Sequence, residues 1–131
     1  MSDKPLPPPQ IPPDELAERL DRGESLQVLD VRAADKVARG HVAFGSELEF
    51  HAVPNSQIFR LPDLTGLKLD ANRPVAVICG HGNSSKQTTA FLRDRGYEAY
   101  SVIGGMAAWE TVYVARRLSP TPSLSHVIQF D

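Results

Sequence analysis

Pro74-Val75-Ala76-Val77-Ile78-Cys79-Gly80-His81-Gly82-Asn83-Ser84-Ser85-Lys86 is the stretch on which the fold turns. Val75 to Ile78 is an apolar run of strand length with no polar alternation, which predicts a strand buried on both faces. Cys79 ends it, and the turn-rich loop Gly80 to Ser84 leads into a helix over 85–95 that Gly96 closes. Downstream, Tyr97 to Ile103 reads as the last strand, Gly104-Gly105 as a tight turn, and 106–118 as a final helix with Ala107, Trp109 and Val112 among its apolar positions. Upstream, Leu16 and Leu20 behind Asp14-Glu15 predict a short amphipathic helix over 13–22, ended by Gly23. Leu26 to Val31 is a second apolar strand, 33–39 a helical turn closed by Gly40, and a weak strand falls within 42–53. Between Pro54 and Leu69 the residues Ile58, Leu61, Leu64 and Leu67 recur at helical spacing, but Pro62 and Gly66 break any long helix. Strands alternating with helices predict an α/β fold: a parallel sheet in three layers, with helices on both faces.

The 131 residues amount to one domain, with 41% hydrophobic and 23% charged residues. A formal charge of -2 without a basic block gives phosphate backbones nothing to hold, so a nucleic-acid partner is not expected. The apolar runs are too short to span a bilayer, and the N-terminus has no charged segment followed by an apolar signal core. A single cysteine excludes an internal disulfide, and the expected location is the reducing cytoplasm. Six of the eleven prolines lie in the first thirteen residues, so 1–10 reads as a loose arm, with the domain over 11–117 and a linker or tail over 118–131. In that tail Leu124 and Val127 to Phe130 resume a strand-like pattern. Two readings stay open for it: a strand awaiting a following domain, or a segment folded back on this one.

In a parallel α/β sheet the ligand crevice lies off the carboxyl ends of the strands. Asp30 and Arg32, Cys79, and Gly104-Gly105 all fall at such ends and should share one edge. A lone cysteine is most often a small buried hydrophobe. Cys79, however, stands between a buried strand and a glycine-bearing loop that runs into a helix, whose first turn offers unpaired amides and the positive end of the macrodipole. Such a place lowers a thiol's pKa from about 8.5 and makes the thiolate available near neutral pH. Gly80 and Gly82 let the loop's amides turn inward, giving an anion-binding cup around the sulfur. The loop also looks like a dinucleotide fingerprint lacking its third glycine, but Glu98, at the distance of a ribose acid, starts a strand rather than ending one. A cysteine phosphatase needs an arginine where this chain has Ser85, and Lys86 cannot reproduce its bidentate fork.

Cys79 to Lys86, Val28-Leu29-Asp30-Val31-Arg32, Gly40-His41 and Gly104-Gly105-Met106-Ala107-Ala108-Trp109 together resemble a rhodanese domain, with single-domain thiosulfate sulfurtransferases as the nearest type. The likeness covers about residues 11–117, and the six-residue loop Cys79 to Ser84 is one residue shorter than in the related phosphatases. The tail from Leu118 resembles the segment joining such a domain to a metallo-β-lactamase-like domain, which implies a possible fused or interacting partner. His41, His51, His81 and His126 show no His-x-His spacing of their own. The resemblance implies a sulfurtransferase that moves sulfane sulfur from thiosulfate or a persulfide donor, through a persulfide on Cys79, to cyanide or a thiol. The alternative is a persulfide-carrying or regulatory module that serves a partner. No cofactor or metal is implied. Gly80, His81, Gly82, Asn83, Ser84, Ser85, Lys86 and Arg32 are the expected substrate-binding residues, and Asp30, Gly104 and Gly105 the structural support. Asp30 and Arg32 should also pair with each other, and Trp109 should lie in the core.

Overall fold

In a computed structural model the chain is described over residues 9–43, 48–61 and 65–118. The elements run β1 (Gln10–Ile11), α1 (Pro13–Asp21), β2 (Gln27–Asp30), α2 (Ala34–Arg39), β3 (Glu49–Ala52), α3 (Asn55–Ile58), a 3-10 turn (Thr65–Leu67), β4 (Val75–Ile78), α4 (Ser84–Arg93), β5 (Ala99–Val102) and α5 (Gly105–Leu118). The strands form one sheet in the order β1-β5-β4-β2-β3, parallel throughout, with Asp30 beside both Ile78 and Ala52.

The two-residue period of the strands divides the core. Val28, Ala76, Ile78 and Val102 pack with Leu16 and Ala17 of α1 and with Met106 and Trp109 of α5. Leu29, Val75, Val77, Cys79 and Ala99 pack with Ile58 of α3, Leu92 of α4 and Leu67. Helices thus cover both faces, as the alternating pattern predicts, and truncating the fully buried Leu29 to Ala is expected to cost about 2–5 kcal/mol. Gln27, a polar residue fully buried at the start of β2, keeps its amide satisfied. Its Nε2 donates to the carbonyls of Asp70 (2.8 Å) and Arg73 (3.2 Å), and its Oε1 accepts from the Asp70 amide (2.7 Å).

One region differs from the sequence reading. Gln10, placed there in the loose arm, belongs to β1 instead: the Ser101 amide donates to Pro9 O at 2.9 Å and the Ile103 amide to Ile11 O at 3.0 Å. Pro9 lacks an N–H but keeps its carbonyl, so it can flank an edge strand, and the buried Ile11 anchors the pair. The rest of the arm, residues 1–8, lies outside the described residues, as does the strand-like pattern at 124–131. Between Pro54 and Leu69 the helical spacing yields a single turn, α3, and the 3-10 turn; Ile58 and Leu67 are buried, while Pro62 and Leu64 lie outside the described residues.

Candidate active site

β4 delivers Cys79 to the carboxyl edge of the sheet, and the four residues after it, 80–83, return the chain into α4. The direction of the loop's polar groups is set by α5. Its first turn has amides without intrahelical partners, and two of them find the loop: Met106 N–H donates to Cys79 O at 2.7 Å and Ala107 N–H to Gly80 O at 3.1 Å. With those carbonyls engaged on one side, Gly82 N–H points to the Cys79 sulfur at 3.0 Å.

This close approach requires glycines. Gly82 has φ +92°, and a Cβ there would stand 2.7 Å from Gly104 N. Gly105 has φ +61°, and its Cβ would meet Cys79 O at 2.4 Å and His81 N at 2.7 Å. Gly104, at φ +75°, would strike the Ala108 methyl at 2.6 Å. The turn and the loop therefore touch backbone to backbone. Gly80 differs from the expectation: its φ is not in the left-handed region, and a Cβ there would meet open space.

Cys79 is 2% exposed, and its sulfur also lies 3.3 Å from the Ser85 hydroxyl. Burial pushes the thiol pKa up, but hydrogen bonds from the Ser85 hydroxyl and amide, the Ser84 hydroxyl and the Gly82 amide outweigh it, so the net shift is downward. The exposed His81, Asn83 and Ser84 make the solvent side of the loop. Behind the sulfur, Ser85 Oγ lies 2.7 Å from Ser101 Oγ, both residues buried, and Thr89 Oγ1 donates to Ser85 O at 2.7 Å. Ser101 was not singled out from the sequence. Its signal is a serine inside the strand segment Tyr97 to Ile103, on the same strand face as the core residue Ala99.

Arg32 is held elsewhere. Its Nε and Nη2 grip the fully buried Asp30 carboxylate at 2.8–3.2 Å, and Nη2 also donates to Gly40 O at 2.7 Å. Its side chain is 12% exposed. Lys86, in the first turn of α4, is exposed and makes no ion pair among the described residues, and the His81 ring is likewise unpartnered. Trp109 is buried in the core beside α1. Among the described residues no group of three or more His, Cys, Asp or Glu could hold a metal ion, and no helix is long and apolar enough to cross a membrane.

The site as a whole is one sulfur facing neutral donors at a helix start, an arrangement suited to a charged nucleophile. Residues 12–111 match the family described as Rhodanese-like domain. The chain is 36% identical over 107 residues to the thiosulfate sulfurtransferase GlpE of Pseudomonas putida strain GB-1, covering 81% of this chain and 88% of that one. With thiosulfate sulfurtransferase GlpE of Pseudomonas aeruginosa PAO1 the identity is 31% over 107 residues, covering 81% and 87%. Among solved structures, the rhodanese-related protein of Thermoplasma volcanium superposes with TM-score 0.64 at 26% identity, covering 79% of this chain and 92% of that one. The rhodanese-like domain protein of Staphylococcus aureus does so with TM-score 0.63 at 28% identity, covering 77% and 90%. These relatives give no support to a fused metallo-β-lactamase-like partner.

Proposed function

Because the chain belongs to the rhodanese-like domain family, we propose that it is a sulfurtransferase that takes sulfane sulfur from thiosulfate or a persulfide donor and passes it to cyanide or a thiol. The observation that carries this reading is the sulfur of Cys79, 3.0 Å from the Gly82 amide and 3.3 Å from the Ser85 hydroxyl, at the start of α4.

In the first half-reaction the Cys79 thiolate attacks the outer sulfur of thiosulfate. A Cys79 S–S bond forms, the bond between that sulfur and the sulfite sulfur breaks, and sulfite leaves with the bonding pair. The persulfide retains one negative charge. In the second, cyanide attacks the terminal sulfur, thiocyanate departs, and the thiolate is restored. Every charged species is an anion, so the site must favour negative charge without supplying a proton. The loop amides and the Ser84 and Ser85 hydroxyls do this in the manner of an oxyanion hole. The exposed Lys86 is the cation that draws in a doubly charged donor, whereas Arg32, already holding Asp30 and Gly40 O, supports the scaffold.

Intact mass after incubation with thiosulfate tests this. The wild type gains one sulfur atom and Cys79→Ser gains none. Added cyanide then releases thiocyanate at a steady rate; persulfide formation without steady release identifies the carrier module instead. Turnover of phosphate monoesters, or sulfur loading of Cys79→Ser, contradicts the reading.

A further inference from the structure

We propose that Ser101 is a positioning residue for the Cys79 thiolate, acting solely through the Ser85 hydroxyl; the inference rests on Cys79 being the nucleophile. Ser101 sits in the middle of the sheet, on β5 beside Val77 of β4, and is 1% exposed. Its strand neighbour on the same face, Ala99, lies in the apolar cluster with Val75, Val77 and Leu92. A hydroxyl in that setting must find a partner, and the partner here is Ser85 Oγ at 2.7 Å, which is itself 3.3 Å from the sulfur. Three buried polar atoms from β5, α4 and the end of β4 thus form one chain.

The direction of that chain follows from proton counting. A hydroxyl has one proton to give, and a thiolate can only accept. When Cys79 is ionised, the Ser85 proton must point to the sulfur. Its oxygen then faces Ser101 with lone pairs alone, so Ser101 must donate. Both dipoles turn toward the negative charge, and each bond polarises the next. With a neutral thiol, S–H can donate to Ser85 and the order reverses. Ser101 thereby favours the ionised state without touching the sulfur. Thr89, donating to the Ser85 carbonyl at 2.7 Å, keeps the backbone of the relay fixed while the hydroxyls turn.

The single cysteine makes the test free of background. The rate of iodoacetamide alkylation, followed by intact mass across pH, reports the thiol titration of the wild type, Ser101→Ala, Ser85→Ala and the double variant. Loss of the second link is expected to raise the apparent pKa by about 0.5 unit, a roughly threefold slower alkylation at pH values below the titration. Ser85→Ala shifts it further, and the double variant titrates like Ser85→Ala. Thiosulfate-dependent transfer by Ser101→Ala falls in the same pH range and recovers at high pH. The pair Ser101→Thr and Ser101→Val repeats the comparison at matched shape, with Thr close to wild type and Val shifted, so a packing defect cannot pass for a lost donor. A Ser101→Ala thiol that titrates as wild type, or a shift of equal size in the Ser85→Ala background, overturns the relay. Either result leaves Cys79 as nucleophile if Cys79→Ser is still inactive; sulfur transfer by Cys79→Ser would instead remove the premise.

Discussion

Two strand ends on the same edge of the sheet use polar groups in opposite ways. After β2, full charges neutralise each other: Arg32 clasps the buried Asp30 carboxylate through Nε and Nη2 and donates from Nη2 to Gly40 O, so these two nitrogens are engaged in the scaffold. After β4 the groups bonded to the sulfur among the described residues are neutral, amides and hydroxyls aimed at it, with the exposed Lys86 one position beyond Ser85. A buried ion pair holds a scaffold because each partner would be costly to leave alone. Neutral dipoles suit a site whose occupant changes from thiolate to persulfide and back, since they stabilise an anion without a permanent counter-ion to be displaced.

Replacing the nucleophile should separate the two ends most sharply. Cys79→Ser is expected to lower thiosulfate-to-cyanide transfer by about 1,000-fold or more with little change in melting temperature, measured by thiocyanate release beside a thermal scan. Arg32→Ala should do the reverse. The orphaned Asp30 carboxylate costs about 3 kcal/mol in a urea titration, while the thiol titration of the molecules that remain folded stays where it was.

The glycines sharpen the β4 end. Gly105→Ala drives a methyl into the Cys79 carbonyl and the His81 amide at a positive φ and is expected to cost about 2–4 kcal/mol in the same titration. Gly82→Ala, strained at φ +92° and pressed on Gly104 N, should reduce transfer by at least about tenfold. Gly80→Ala meets no atom and no strained φ, so its effect on stability is expected to stay within about 0.5 kcal/mol. Equal effects at positions 80 and 82 would mean that loop shape, not contact with the Gly104-Gly105 turn, places the Gly82 donor.

Much of this was legible in the sequence, and the parts that were not share a cause. Val75 to Ile78 betrays a central strand because burial on both faces leaves no polar alternation. Gly104-Gly105 stands out because two adjacent glycines mark a turn, and the Cys79 loop because its glycines precede a helix. Such signals are local. Distinguishing Gly80 from Gly82 needed the distance to another segment. So did Ser101, whose hydroxyl is decided by Ser85, sixteen positions away. The strand at Gln10–Ile11 was hidden because its pairing is owed to β5, at the other end of the domain, and not to any pattern within the proline-rich segment.

Ionisation of Cys79 also couples to folding. Hydrogen bonds to the sulfur lower its folded pKa relative to the unfolded thiol, so the stability it contributes is fully present above the unfolded pKa and is lost as pH falls through the folded pKa. The central claim, a sulfur kept charged by neutral donors at the turn between β4 and α4, is met most directly by titrating this one thiol in the folded protein through its thiolate absorbance near 240 nm. An apparent pKa clearly below about 8.5 that returns to that value on unfolding in urea is the expected result. A folded thiol that titrates at or above the unfolded one would contradict it.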